Sequence, residues 1–453
     1  MGGLFSALIT TTGAMRANDR VLMTIQNNVS NASTPGYARR QLSLYPRHFD
    51  VRLGLAGGVA TGELINYRNE FSERNVWRQS SNHGRYAEQR PILEEVESTF
   101  SIADGAGIPG ALNRFFNGVS SWAVNPNDPV ARQVVLDRAA SVARSFNSTA
   151  KSIAAAATTA ERQIASTVDR INSIVGRVRE INLEMRTDRQ KVDDPGLDAQ
   201  LYASLEELSE LVDFNVLKAE DGTMQILLGG QTPLVIGDRQ YEIRADFSFG
   251  TPRILNAQEA DITAQVGNGG LAGLLETRNQ QIPTYLDDLN RMASTFADRV
   301  NQVLAGGLDA NGSSPLVDLF TYDPVLGAAA TLTTNPLEPW QLAGAETTAP
   351  GGNGNALLLA SLSESAELDG GSFHTFYGEL GAKLGRDLQN ANDGMQIQEE
   401  LLSQSKELRA ERSGVSLDEE AARLVEAQRA YQANAQLFQV LNELTDVLIN
   451  LLR

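Results

Sequence analysis

Residues 27–41 read "NNVSNASTPGYARRQ", and the fold turns on why a helix stops there. Upstream, Leu4, Leu8, Thr11, Met15, Asn18, Leu22, Ile25 and Val29 recur in alternating steps of four and three. That is the a/d spacing of a coiled coil with two polar interruptions, and such a seam needs a partner helix. After Val29 the run Ser30-Asn31-Ala32-Ser33-Thr34 competes with the helical backbone through side-chain hydrogen bonds, and Pro35-Gly36 forbids continuation and supplies a turn. The helix is expected to end by about residue 33.

The other end of the chain offers a match. Ser413-Gly414 breaks one helix, and Ser416 with Glu419 three positions on forms a capping box that starts another. Leu417, Ala421, Leu424, Tyr431, Ala435 and Phe438 make one seam of this last helix, with Gln428 as a polar break. Leu437, Leu441, Leu444, Leu448 and Leu451 make an adjacent seam. Two seams predict more than one neighbour. The ends are also electrostatic complements: residues 1–47 hold five arginines and one aspartate, +5 − 1 = +4, while residues 416–453 hold six acids and three arginines, −6 + 3 = −3. The candidate assembly interface is therefore Leu4, Leu8, Met15, Leu22, Ile25 and Val29 on the first helix, with Leu417, Leu424, Tyr431, Phe438, Leu441 and Leu448 on the last.

Between the ends, Asp128 is an N-cap candidate with Pro129 at the first helical position, and a near-heptad pattern runs from Val142 to Met185. One helix from Asp128 to about Arg186 would be a rod roughly 85 Å long. Residues 282–304 and 373–411 read as further amphipathic helices, stopped by Gly306-Gly307 and Ser413-Gly414. The period then changes. "FNVLKAEDGTMQILL" sets Asp221-Gly222 between two β-capable runs, a hairpin signal, and Val235-Ile236 and "YEIRADFSF" continue as strands. Residues 306–355 read as irregular, rich in Gly, Pro and Thr.

The fold expected is mainly α, with a long α-helical bundle or coiled coil formed by both chain termini and a small β-rich domain inserted mid-chain. Its parts are residues 1–45, an N-terminal coiled-coil helix; 46–212, the first part of a helical rod; 213–266, the β-rich module; 267–412, the returning rod; and 413–453, the C-terminal coiled-coil helix.

Composition narrows the function. A chain of 453 residues exceeds one compact core, so about two to four domains are expected. The formal charge of −18 repels phosphate backbones and argues against nucleic acid. No run of eighteen apolar residues predicts a membrane span, and residues 1–30 lack the pattern of a cleaved secretory leader. Cysteine is absent, which excludes disulfides, thiolate metal sites and a thiol nucleophile. His48, His83 and His374 are far apart, and no H-E-x-x-H, G-x-S-x-G or G-K-[ST] motif occurs. No catalytic residue, cofactor or metal site is expected. "GNGGLAG" (267–273) and "GGNGNA" (351–356) read as turn chemistry. "GLDANG" (307–312) reads as a tight turn, because Gly307 has no side-chain oxygen for the first position of a calcium loop.

The opening stretch resembles the N-terminal signature of bacterial flagellar axial proteins, the rod, hook and hook-associated subunits. The matching positions are Asn27, Asn28, Asn31, Thr34, Pro35, Gly36 and Tyr37. "SGVSLDEEAARLVEAQRAYQANAQLFQVLNELTDVLINLLR" resembles their C-terminal helix, and its Leu417-Asp418-Glu419-Glu420-Ala421 start is nearest to hook-associated members at the hook–filament junction. Rod and hook subunits usually show Val-x-x-x-Glu-Met there. "NPNDPVARQVVLDRA" (125–139), "GNGGLAGLLETRN" (267–279) and "GLDANG" extend the likeness along nearly the whole chain. The resemblance implies a non-enzymatic, extracellular flagellar subunit exported through the flagellar type III channel without a cleaved signal. It implies a junction ring of copies of the chain, contacting the hook protein and a second junction protein, with an export chaperone on the C-terminal helix. Longer relatives carry a further β domain after the stretch equivalent to "GLDANG", where this chain has some forty irregular residues. A rod or hook subunit, or a secreted enzyme or adhesin with a concave site in residues 213–355, are the alternative readings. Burying six seam residues contributes less than fixing the first helix costs in backbone entropy, so mobile ends are expected in the free subunit.

Overall fold

The computed structural model describes residues 2–50, 55–100 and 105–451. The chain is mainly helical. Among the described residues the α-helices are α1 (Gly2–Ser30), α2 (Glu70–Glu97), α3 (Gly107–Val124), α4 (Pro129–Thr187), α5 (Pro195–Leu211), α6 (Gly270–Glu276), α7 (Ile282–Ala305), α8 (Ala328–Thr331), α9 (Gly354–Ser361), α10 (Phe373–Ser413) and α11 (Leu417–Leu451). The local signals explain the main boundaries. The Asp128 carboxylate accepts from the Val130 amide at 2.9 Å and starts α4. Val142, Phe146, Ile153, Ile164, Ile171, Val178 and Met185 are all buried along that helix. Asp194 caps α5 by accepting from the Gly196 and Leu197 amides at 2.7 and 3.2 Å.

The chain divides into two compact units. One comprises residues 1–83, 170–242 and 397–453. In it α1 packs along α11, joining the two ends of the chain. A four-stranded antiparallel sheet runs in sequential order through Phe214–Lys218, Met224–Leu228, Thr232–Ile236 and Arg239–Gln240. Its first turn is the expected one: Gly222 takes a positive φ of 84°, and the Asp221 carboxylate accepts from the Thr223 amide and hydroxyl at 3.1 and 2.6 Å. Trp77 lies between Tyr202 and Phe214, with ring centroids at 5.9 and 5.5 Å.

The other unit comprises residues 84–169 and 243–396. Its core is aromatic. Phe115, Phe116, Phe146, Phe320 and Phe373 surround Phe296 with centroids 5.2–6.4 Å away, mostly edge to face as the ring quadrupoles prefer. The "GLDANG" segment is a tight turn in which Asp309 accepts from the Asn311 and Ser313 amides at 2.8 and 2.9 Å. "GNGGLAG" and "GGNGNA" run into the short helices α6 and α9.

Three elements differ from the sequence reading. Residues 40–46 and 59–66, which fall at the end of the segment expected as the N-terminal helix and inside the segment expected as the helical rod, form an antiparallel hairpin with an irregularity between Leu42 and Leu44. Its strands lack a two-residue turn signal, and the close packing depends on Gly62, where a Cβ would lie 2.1 Å from the Tyr45 ring. The β structure expected over 213–266 is shared between the units: the sheet lies in the first, and the Arg244–Asp246 and Arg253–Leu255 hairpin lies in the second. Of "YEIRADFSF" only Arg244–Asp246 is strand. Third, the capping box at the start of α11 is half formed: the Ser416 hydroxyl accepts from the Glu419 amide at 3.4 Å, while the Glu419 carboxylate accepts from Arg39 at 2.6 Å.

Candidate functional site: a clasp between the chain ends

Asn28 is the centre of the site. It sits in the last turns of α1, only 1% exposed, and its amide uses its full hydrogen-bonding capacity. Nδ2 donates to the Arg40 carbonyl at 2.7 Å and to the Glu420 carboxylate at 3.0 Å. Oδ1 accepts from the Arg40 amide at 3.1 Å and lies 2.8 Å from the Tyr37 hydroxyl. A single side chain thus holds the exit of α1, the first strand residue and the start of α11 together. Asn27 and Asn31 support it: the Tyr37 hydroxyl is 2.9 Å from Asn27 Oδ1, Asn31 donates to the Asn27 carbonyl at 2.9 Å, and Thr34 donates to Asn31 at 3.2 Å. Burial raises the Tyr37 hydroxyl above its ordinary value; Arg40 opposes this, while Glu420 and Asp198 reinforce it.

Gly36 makes the turn possible. Its φ is 73°, and a Cβ there would lie 2.2 Å from the Ala199 carbonyl oxygen and 2.7 Å from the Ala203 nitrogen of α5. Glycine is required both by conformation and by the approach of the turn to α5. The next residues tie down the far side. The Arg39 amide donates to the Ser413 carbonyl at 2.9 Å, the Ser413 hydroxyl accepts from the Asn69 amide at 3.1 Å, and the Arg39 guanidinium lies 4.4 Å from the Tyr67 ring centre.

Beneath the turn is a buried charge network. Arg40 donates to the Asp193 carbonyl and lies 3.6 Å from Asp198. Arg68 bonds Glu73 and Asp198, each at 2.7 Å, donates to the Gly36 carbonyl at 2.6 Å and lies 3.6 Å over the Tyr202 ring. Arg409 bridges Glu73 at 3.2 Å and Glu206 at 2.6 Å, and Lys406 meets Glu206 at 2.9 Å. Burial alone would raise Glu206, but Arg409 and Lys406 outweigh it and hold the carboxyl below its ordinary value. Four separate segments of sequence supply these charges. No local spacing announces them, which is why sequence reasoning missed the network.

The seam residues occupy graded environments. Ile25 is buried; Leu4, Leu8, Met15 and Leu22 are half-buried; Val29 is exposed. On α11, Leu424, Tyr431, Phe438 and Leu441 are half-buried, and Leu417 and Leu448 are exposed. Ala427, absent from the predicted seams, is the one buried apolar residue among the described residues of α11. Around the hairpin of end helices, Phe5, Ile9 and Met23 of α1 and Val425, Leu437, Val440, Leu444, Val447 and Ile449 of α11 also remain exposed.

Chemistry of other kinds has little to work with. An open cleft of about 730 Å³ in the second unit includes Arg85, Glu276, Asp261 and Thr263. Arg85 and Glu276 neutralise each other at 2.6 Å, and the Thr263 hydroxyl donates to Asp261 within its own turn. Among the described residues no group of three or more His, Asp or Glu is placed to hold a metal, and no helix is long and apolar enough to cross a membrane.

Comparison with known proteins agrees with this architecture. The flagellar hook-associated protein FlgK helical domain matches residues 93–320, and the flagellar basal body rod FlgEFG protein C-terminal family matches residues 408–451. Flagellar hook-associated protein 1 of Bacillus subtilis is 27% identical over 501 aligned residues, covering 99% of each chain. The Escherichia coli protein of the same name is 22% identical over 555, covering 98% of this chain and 100% of the relative. That alignment is longer than the 453 residues here, so the relative carries additional sequence. The structure of the flagellar hook junction protein FlgK from Burkholderia pseudomallei shares the fold, with a TM-score of 0.65 at 15% identity over 74% of this chain and 99% of that one. With the helical-domain family matching half of this chain and the clasp built from the signature turn and the Leu-Asp-Glu-Glu-Ala start, this chain belongs to the flagellar hook-associated protein FlgK family.

Proposed function

We propose that the chain is a non-enzymatic structural subunit that joins hook to filament as a ring of copies, held in the flagellum through α1 and α11. The observation that carries this reading is the half-covered pair of end helices. The clasp fixes their junction, and yet Phe5, Ile9, Leu437, Val440, Leu444 and Val447 stay exposed. Large apolar side chains left exposed along both end helices support an interaction site there. The relatives are named for the hook and its junction, and the same placement is proposed here, with the hook protein and a second junction protein as neighbours. Export through the flagellar type III channel to the cell exterior follows from that placement. An export chaperone with a helix-binding groove would cover α11 before assembly, reading Leu437, Val440, Leu444 and Val447 at heptad spacing.

The test is a strain carrying Val440→Glu and Leu444→Glu, both at exposed positions. The purified variant should melt as the parent does, while the strain fails to build filaments on its hooks. Normal swimming would remove the end-helix surface from the account.

A further inference from the structure

We propose that the cavity between α1, the 40–66 hairpin and α11 binds a free α-amino acid with an apolar side chain, held by its zwitterionic head. The inference goes beyond the assembly reading and does not depend on it. The cavity has a volume of about 600 Å³, within the range of about 300–1,000 Å³ that small-molecule sites occupy. Side-chain size creates it. Glu420, Arg423, Ala427 and Ala430 all line the cavity, and their steps of three, four and three residues put them on one face of α11. Such a seam ordinarily carries large apolar residues, and here it has two alanines. The other walls include Val21 and Ile25 of α1 and Leu44 and Ile65 of the hairpin. Apolar surfaces that larger side chains would bring together therefore stand apart.

The polar wall selects the head group. Glu420 is buried and its carboxylate is half used: Oε2 accepts from Asn28 Nδ2 at 3.0 Å, while Oε1 has no hydrogen-bond partner among the described residues. Arg40, also buried and lining the cavity, has its Nε–H in the same condition. Buried polar groups are normally paired, so these two call for a donor and an acceptor from a ligand. Arg423 adds a cation: it is half-buried and makes no ion pair or hydrogen bond among the described residues. Residues three apart on a helix have their Cβ atoms about 5–6 Å from each other, which sets Arg423 beside Glu420. An acid and a base so placed suit a head whose ammonium and carboxylate are joined through one carbon. The ammonium meets Glu420, and the carboxylate meets Arg423 and the Arg40 Nε–H. A ligand of single charge would leave one of the two ions unanswered. The apolar side chain lies against Ile25, Ile65 and Ala430.

Isothermal titration of the purified chain with L-leucine and with L-phenylalanine tests the site. At millimolar ligand at least one should give saturable heat and raise the melting temperature, since a ligand of the folded state stabilises it. N-acetyl-L-leucine lacks the ammonium and L-leucinamide lacks the carboxylate. Each should bind at least about tenfold more weakly, the loss expected for one hydrogen bond to a charged group. Ala430→Leu fills the space and should abolish binding, while the unliganded variant melts as the parent does. Arg423→Gln, at a position without a protein partner, is the second variant and should weaken binding by a similar factor. Absence of both heat and a melting shift with the two amino acids would overturn the site. Equal binding of the acetylated or amidated leucine would overturn the zwitterionic head, and undiminished binding in both variants would overturn the cavity as its location.

Discussion

The Asn28 side-chain amide donates to the Glu420 carboxylate at 3.0 Å, closing a contact across 392 residues of sequence. The same amide pairs with both backbone groups of Arg40. Asn28→Ala should therefore strand a buried carboxylate and a buried strand end. Leaving buried polar groups unpaired costs about 1–3 kcal/mol, and denaturant unfolding of the purified chain should show a loss in that range. Asn28→Asp should be at least as damaging, because it replaces a donor with a negative charge facing Glu420. Equal stability of all three proteins would show that the clasp contributes nothing.

Gly36→Ala tests the turn. The left-handed conformation costs a residue with a Cβ about 1–2 kcal/mol, and the added carbon would meet the Ala199 carbonyl. Replacing Pro35-Gly36 by Ala-Ala should let α1 run past its stop and misdirect the chain into the 40–66 hairpin, so that subunits are exported but junctions are not built. Wild-type junctions in that strain would make the turn incidental.

Much of this was legible in sequence, and the reason is range. The stop after α1, the Asp221-Gly222 turn and the Asp128-Pro129 start of α4 are local devices, and each contains its own partner. The end helices were legible because period survives without knowledge of the neighbour, but the faces they cover were not: Val29, Leu417 and Leu448 are exposed, and the buried Ala427 lies outside the expected seams. The clasp was only half legible. The signature turn and the Leu417-Asp418-Glu419-Glu420-Ala421 start stood out separately, and nothing within either says that Glu419 reaches Arg39 or that Glu420 reaches Asn28. The 40–66 hairpin escaped because its strands are held by Gly62 beneath Tyr45 and by packing on α1, where a Cβ at Gly58 would lie 2.5 Å from the Thr10 side chain. Such packing follows from tertiary structure and has no pattern of its own.

Acid should loosen the unit that contains the clasp. Glu206 is held below the ordinary carboxyl value by Arg409 and Lys406 despite its burial. Its folded form binds a proton less readily than its unfolded form, so it contributes stability above the ordinary carboxyl range, and that contribution is lost as pH falls through the lower folded value. Thermal melts of the parent from neutral to acidic pH should decline more steeply than those of Glu206→Gln. Parallel curves would assign the acid sensitivity elsewhere.

The end helices should be graded in order. Ala17, Ile25, Asn28 and Ala427 are buried near the clasp, whereas Phe5, Ile9, Leu444 and Val447 are exposed at the opposite end. Hydrogen exchange on the monomer should be slow around residues 17–28 and 420–431 and fast at residues 3–10 and 440–450. Protection of 440–450 should appear when an export chaperone is added. Uniform fast exchange along both helices would restore the expectation of free ends that order only on assembly.

The most direct measurement is electron cryo-microscopy of intact flagella at the hook–filament junction. The account predicts one layer of this chain between hook and filament, with α1 and α11 packed against the end helices of neighbouring copies and Asn28 still bonded to Glu420. Density for the chain within the rod or the hook body, or a junction layer whose end helices make no contact between copies, would contradict it.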